Sequence, residues 1–546
     1  MVFQIIATIV YLCLLGWLTY SGFKGTKNTS DYLLAGRQIH PVIMALSYGA
    51  TFISTSAIIG FGGQAGMFGM SLLWLTFLNI FVGVFLAFVF FGKRTRRMGR
   101  NLDAHTFPEL LGLRYQSRFM QSFAALIIFI FMPVYTAAVL KGAVNFLSTQ
   151  FGIHYNAALF FFVVLMAVYV SMGGLKGVMY SDALQGTVMF AGMAFLLIFV
   201  YTKLGGVTEA HTRLTELSEQ PAVIEQTRAM IENGFQGWTR MPAFNSPYWW
   251  SIVTSIVLGV GIGVLAQPQL AVRFMTVKSD RELNRAVVSG GIFILFATGV
   301  AFTVGALSNV FFFDDLQQTA LSASGEGGID NIIPLFLRTY LPEWFGTIFM
   351  LVLLAAAMST LSSLFHAIGT SFGRDFIEKG LGIKKHTLGI TRVGVLIAII
   401  LSAVLAYIGN EVDATFGMIA QSTAVFFGLC GAAFLPSYFG GLYFKKLSRT
   451  AAISSMVSGA TASILWLFFF HGRNASVIGL CRLIFGKDHL LAGTALEKLS
   501  QVDSILIGLP LAIIVIIVVG ALTRPKYNDG HVDNCFSGVV TRTKTK

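Results

Sequence analysis

The segment Ala45–Gly66, ALSYGATFISTSAIIGFGGQAG, is apolar enough to sit in lipid and is poorly suited to one continuous helix. Gly49, Thr51, Ser54, Thr55 and Ser56 crowd together, and Gly60, Gly62 and Gly63 follow. Glycine loosens a helix, and short hydroxyl side chains compete for its carbonyls. Half the chain later Val257–Phe274, VLGVGIGVLAQPQLAVRF, repeats the theme with Gly259, Gly261, Gly263 and then Pro268, which has no N–H to give. Each segment reads as a helix interrupted near the middle of a membrane.

Such breaks are tolerated only where the freed backbone faces protein or a cavity. A matched pair in two halves of a chain points to a binding site between inverted repeats. The plainer alternative is that both are small-residue packing faces.

The rest of the chain supports the membrane setting. Of 546 residues, 55% are hydrophobic and 12% charged, about half the charged share of a soluble protein. Many runs approach the ~20 apolar residues that cross a bilayer as a helix. The expected fold class is an all-α membrane protein with thirteen spans, at about 2–22, 40–70, 72–92, 120–150, 157–178, 183–204, 247–271, 286–313, 345–372, 388–409, 413–442, 448–471 and 503–522. The two breaks open five-span groups, 40–204 and 247–442. Because five is odd, the second group is inverted relative to the first. A leading helix and loop (1–39), two accessory helices (443–522) and a tail (523–546) complete one transmembrane domain.

Most of the 38 Lys and Arg fall in the segments 23–39, 93–119, 173–181, 272–285, 373–392, 443–449 and 523–546, including KRTRRMGR at 93–100. Basic loops stay in the cytoplasm, so the N-terminus is expected outside and the C-terminus inside a cell membrane. The net charge of +13 has the same explanation, and no nucleic-acid partner is expected. No GxxxxGK[ST] loop or HExxH motif is present, which argues against an ATP-driven pump and an intramembrane protease. The chain is expected not to be an enzyme. Cys13, Cys430, Cys481 and Cys535 are too scattered for a disulfide framework.

With these features the sequence resembles the sodium:solute symporters over about residues 30–440. The likeness is carried by LLAGR at 33–37, GGLKGVMYSDALQG at 173–186, QPQLAVRFMTVKS at 267–279 and AAAMSTLSS at 355–363. Within the family, ATFISTSAIIG and PQLAVRFMTVKS are similar to sodium/pantothenate and related carboxylate symporters. The resemblance implies the leucine-transporter-type fold of two inverted five-helix repeats, and symport of a small organic solute with sodium by alternating access. The expected partners are the solute, sodium ions and the bilayer, with a monomer as the working unit. Proline-type amino-acid or sugar symport, a non-transporting sensor and a sodium channel on the same scaffold are the alternatives.

Sodium takes oxygen ligands. Ala356, Ser359 and Thr360 stand at i, i+3 and i+4, hence on one helix face. Hydroxyls bonding back to their own helix are the structural alternative. The resemblance implies a first sodium held by the carbonyls of Ala50, Ile53 and Ala356 and the hydroxyls of Ser359 and Thr360. A second sodium is implied at Asp182, Ser359, Ser362 and Ser363. The alternative for Asp182 is a helix N-cap.

Expected solute-lining residues are Thr51, Phe52, Thr55, Ser56, Gly261, Gln267 and Gln421. Phe52 stands where sodium/proline symporters carry an acid, which makes proline a less natural cargo and the pocket more apolar. Half-helix N-termini at the breaks suit a carboxylate. Lys141, well inside a span, is expected either to snorkel to the outer interface or to pair with an anionic solute or fill a cation position.

Overall fold

The computed structural model describes residues 2–24, 33–172, 175–383, 387–411 and 417–539. Gly173 and Gly174 of the GGLKGVMYSDALQG motif, the first residues of the 413–442 span and the last seven of the tail lie outside them. The described residues form helices and turns, with one isolated parallel bridge between Ile39 and Val277. Ten helices are long and apolar enough to cross a membrane, and three shorter apolar helices cover 6–21, 41–52 and 155–170.

Both predicted interruptions are present. The first helix half, Pro41–Phe52, stops at Ile53, whose φ −88° and ψ 95° are extended. The chain then re-enters helical geometry as Ser56–Phe61 and Gly62–Phe68. The second broken helix runs Ser251–Val260, Gly261–Gly263 and Val264–Ala266, becomes extended at Gln267 (φ −72°, ψ 117°), and resumes as Pro268–Phe274. Pro268 occupies the first helical position, where its missing N–H costs nothing.

Glycine lets neighbouring backbone approach both breaks. A Cβ on Gly63 would lie 2.2 Å from the Ile329 carbonyl oxygen, and one on Gly263 would lie 2.2 Å from that of Phe427. Helices Ile329–Tyr340 and Met418–Tyr443 can therefore press directly on the broken segments.

The hydroxyl-rich stretch sits in the middle of Glu343–Thr370, which packs against Pro41–Phe52 and Leu175–Lys203. The sequence 205–246 and 314–344 covers one end of the bundle, here the long-loop end. There Trp238 Nε1 donates to Gly66 O at 2.9 Å and anchors the first broken helix. At the opposite, basic-loop end, the third span continues as a helix, Lys93–Asn101, where a loop was expected. Arg96 fixes it by donating to Asp280 at 2.8 Å and to the Lys278 carbonyl at 3.1 Å.

Candidate functional site

A helix leaves its last carbonyls without intrahelical partners. Pro41–Phe52 ends at the break, so the carbonyls of Ala50 and Thr51 are released toward the facing helix. Ser359 Oγ donates to Ala50 O at 2.9 Å and to Ala355 O at 2.8 Å, with Ala356 O at 3.3 Å. Thr360 Oγ1 donates to Thr51 O at 3.1 Å. Ala50, Ala356, Ser359 and Thr360 are fully buried. This shell of neutral oxygens spans the two halves of the chain. Its hydroxyls can turn lone pairs toward a hard cation once a cation replaces their protons as the positive partner. Ile53 is the extended residue beside it, and its N–H returns to Gly49 O at 2.8 Å.

The second expected cluster holds a protein cation. Arg273 Nη2 lies 2.9 Å from Asp182 Oδ2, 2.6 Å from Ser363 Oγ and 2.5 Å from Thr51 Oγ1. Its Nε donates to Ser47 Oγ at 3.1 Å and its Nη1 to Gln269 O at 2.7 Å. Both charged side chains are buried, Asp182 completely. Asp182 is no N-cap, because its helix begins at Leu175 and the residue lies two turns inside. Ser362 turns away and bonds within its own helix to Ser359 O at 3.1 Å. Arg273 was missed because the span was ended at 271, which put it in a loop. The signal was a lone arginine five residues beyond Pro268 in an otherwise apolar run.

Lys141 does not snorkel. Its side chain is buried, with Nζ 3.6 Å from Asp330 Oδ2 and donating to Gly409 O at 3.1 Å. Asp330 Oδ2 also accepts from Ile419 N at 3.3 Å. The Asp330 carboxylate and the Gly409 carbonyl stand in for water around the buried ammonium. Asp330, assigned to a long loop by sequence, comes from the start of the helix that presses on Gly63.

A cavity of about 470 Å3 enters from the long-loop end. Gln64, Tyr248, Ser255, Gln421, His471 and Arg473 are among its walls. Of the expected solute residues only Gln421 lines it. Thr55 Oγ1 is used by Val139 O at 2.7 Å, and the Phe52 ring lies against Gly83. Gln267 accepts from Gln269 Nε2 at 3.1 Å, and Gly261 faces the Leu78 side chain. Thr51 belongs to the Arg273 network. Ser56 Oγ is buried without a hydrogen-bond partner. These residues lie below the cavity floor, around the breaks.

Toward the basic-loop end the route is shut. The space beside Arg273, Ser363 and His366 is about 30 Å3. Beneath it Arg374 grips Glu109 at 3.0 Å, and Thr106 and Gln121 each donate to Asp375 at 2.8 Å. Burial would raise the Glu109 carboxyl, but hydrogen bonding from His105 and the charge of Arg374 outweigh it and hold the group at about 2. Access is therefore one-sided, open above the breaks and closed below.

Comparison with known proteins fits this geometry. The model of the sodium:solute symporter family matches residues 32–459. The sodium/pantothenate symporter of Haemophilus influenzae is 28% identical over 506 residues, covering 90% of this chain and 96% of its own. Sodium/proline symporter 2 of Staphylococcus saprophyticus is 27% identical over 472 residues, covering 85% of each chain. Among solved structures, a Na+-coupled sialic acid symporter in a substrate-bound outward-open state superposes with TM-score 0.72 at 18% identity, covering 96% of this chain and 99% of its own.

Proposed function

The chain belongs to the sodium:solute symporter family and is a sodium-coupled solute symporter of the leucine-transporter fold; from that premise we propose that its solute is a small carboxylate. The observation that carries this reading is Arg473, among the described residues the one charged side chain on the wall of the 470 Å3 cavity. A cavity with one cation and no acid concentrates anions, and a guanidinium matches a carboxylate with two parallel hydrogen bonds. Proline, pantothenate and sialic acid, the solutes named for the relatives, all carry a carboxylate.

The coupling ion is assigned to Ala50, Ile53, Ala356, Ser359 and Thr360. A cation there ties the released end of Pro41–Phe52 to the hydroxyl helix and so holds the closed floor together. Loss of the ion leaves only hydroxyl–carbonyl bonds between these two helix segments, one from each of the repeats 40–204 and 247–442, and the weakened tie favours opening of the basic-loop end. A second ion at Asp182 would have to displace Arg273, so one sodium per cycle is assigned. The basic segments place the closed end in the cytoplasm, with the N-terminus outside. A channel reading is disfavoured by the buried layers below the breaks, and a sensor reading predicts no net solute movement.

The test is uptake into proteoliposomes with the three named carboxylates and their amides. A carboxylate taken up at least tenfold better than its amide supports the assignment. Equal rates for acid and amide would remove Arg473 from the solute site and the carboxylate with it.

A further inference from the structure

At the basic-loop end a separate cavity of about 180 Å3 lies between three chain segments. Arg37 ends the 3-10 turn Ala35–Arg37, which precedes the first broken helix. Arg96 and Arg100 come from helix Lys93–Asn101, and Lys278 from the segment leaving the second broken helix. The lining contains four cations and no acid. Asp280 answers Arg96 at 2.5 Å and also Arg97. Arg100 and Lys278 are exposed and form no ion pair among the described residues. Arg37 Nη2 is shared by Asp103 at 3.2 Å and Ala104 O at 3.0 Å. Its Nη1 is buried with no hydrogen-bond partner.

A buried charged donor without an acceptor is costly. Ordinary retention of basic loops in the cytoplasm asks only for exposed charge. It gives no reason to converge three segments on one hollow or to leave a guanidinium donor unanswered inside it. Arginine forks and a lysine around a small cavity are instead the donor set for a phosphate oxyanion. Basic pockets at helix ends near the membrane surface also suit lipid head groups.

We propose that this cavity binds a phosphate oxyanion, supplied by an anionic phospholipid head group or by free phosphate. The bound group pins the two segments flanking the breaks to each other. Those segments already touch, with Ile39 N donating to Thr276 O at 3.2 Å. An oxyanion accepting from Arg37, Arg100 and Lys278 adds a clamp over the closed end and favours the conformation seen here.

The experiment uses the full chain, purified and placed in phosphatidylcholine nanodiscs with and without phosphatidylglycerol, or given inorganic phosphate against chloride at equal ionic strength. Thermal unfolding is compared for wild type, Arg100→Gln/Lys278→Gln, and the charge-matched control Lys445→Gln/Lys446→Gln. Arg100 and Lys278 are exposed, so the double variant is expected to fold, and each single variant should be intermediate. Wild type and control should be stabilised by the phosphate group, and the double variant should need at least about tenfold more of it for the same shift. A response to phosphatidylglycerol alone identifies a lipid head group, and a response to inorganic phosphate identifies a free-anion site. An equal loss in the control, or no stabilisation of wild type by either source, would overturn the proposal.

Discussion

Replacing Ser359 with alanine removes one oxygen from the neutral shell and leaves its geometry otherwise intact. The hydroxyl meets Ala50 O at 2.9 Å across the break and Ala355 O at 2.8 Å in its own helix. Two effects separate by magnitude. Without sodium, the hydrogen bond to Ala50 O is worth about 1 kcal/mol of stability. With sodium, one ligand in five is lost, which should weaken the ion by at least tenfold, about 1.4 kcal/mol. The assay is solute uptake in proteoliposomes against sodium concentration, with thermal unfolding of the same preparation. Half-maximal sodium should rise at least tenfold, and the stabilisation by saturating sodium should fall by about 1.4 kcal/mol at fixed ion concentration. Ser359→Thr restores the oxygen and should recover most of both. If Ser359→Ala lost stability equally with and without sodium and kept its sodium dependence, the hydroxyl would be a helix bond and the ion would lie elsewhere.

Arg473→Gln should raise the carboxylate concentration for half-maximal uptake about tenfold while leaving half-maximal sodium unchanged, because Arg473 lines the cavity and lies apart from the oxygen shell. Lys141→Met strands a buried carboxylate and should cost ~3–5 kcal/mol in thermal unfolding, whereas Lys141→Met/Asp330→Asn should recover much of it. Glu109 titrates at about 2 in the fold against an ordinary 4.5. Its folded pKa is depressed, so its contribution is full above pH 4.5 and lost as pH falls toward 2. Glu109→Gln should flatten the stability profile in that window.

The breaks were legible in the sequence because their cause is local. Glycine, proline and hydroxyl residues at membrane depth announce a weakened helix wherever the rest of the chain lies, and both segments are interrupted, with the chain extended at Ile53 and Gln267. The shared helix face of Ser359 and Thr360 was legible from their spacing, whereas their partner across the break came only with the family resemblance. What sequence did not show was pairing at a distance. Asp182 finds Arg273, and Lys141 finds Asp330, only after helices from different parts of the chain are packed. Hydropathy also placed Arg273 and Asp330 outside spans, because charge pulls a span boundary inward even where a partner has removed the need for water. The cavity walls were least legible. His471 caps the short helix Gly472–Ile478 and Arg473 lies in it, far in sequence from both breaks.

The most direct test is a reversal-potential measurement in proteoliposomes loaded with a monocarboxylate that the protein carries. With Arg273 held at Asp182, one sodium enters with each monoanion and no net charge moves. A tenfold sodium gradient, about 1.4 kcal/mol, then sustains roughly tenfold solute accumulation whatever the voltage. Two sodium ions would add one charge, worth about 2.3 kcal/mol at 100 mV, and raise the limit to roughly 5000-fold. Net flux should reverse when the sodium and solute gradients balance, at a position indifferent to voltage. A reversal point that ignores the sodium gradient would contradict sodium coupling through the Ser359–Thr360 shell, and one that moves with voltage would return the second ion to Asp182.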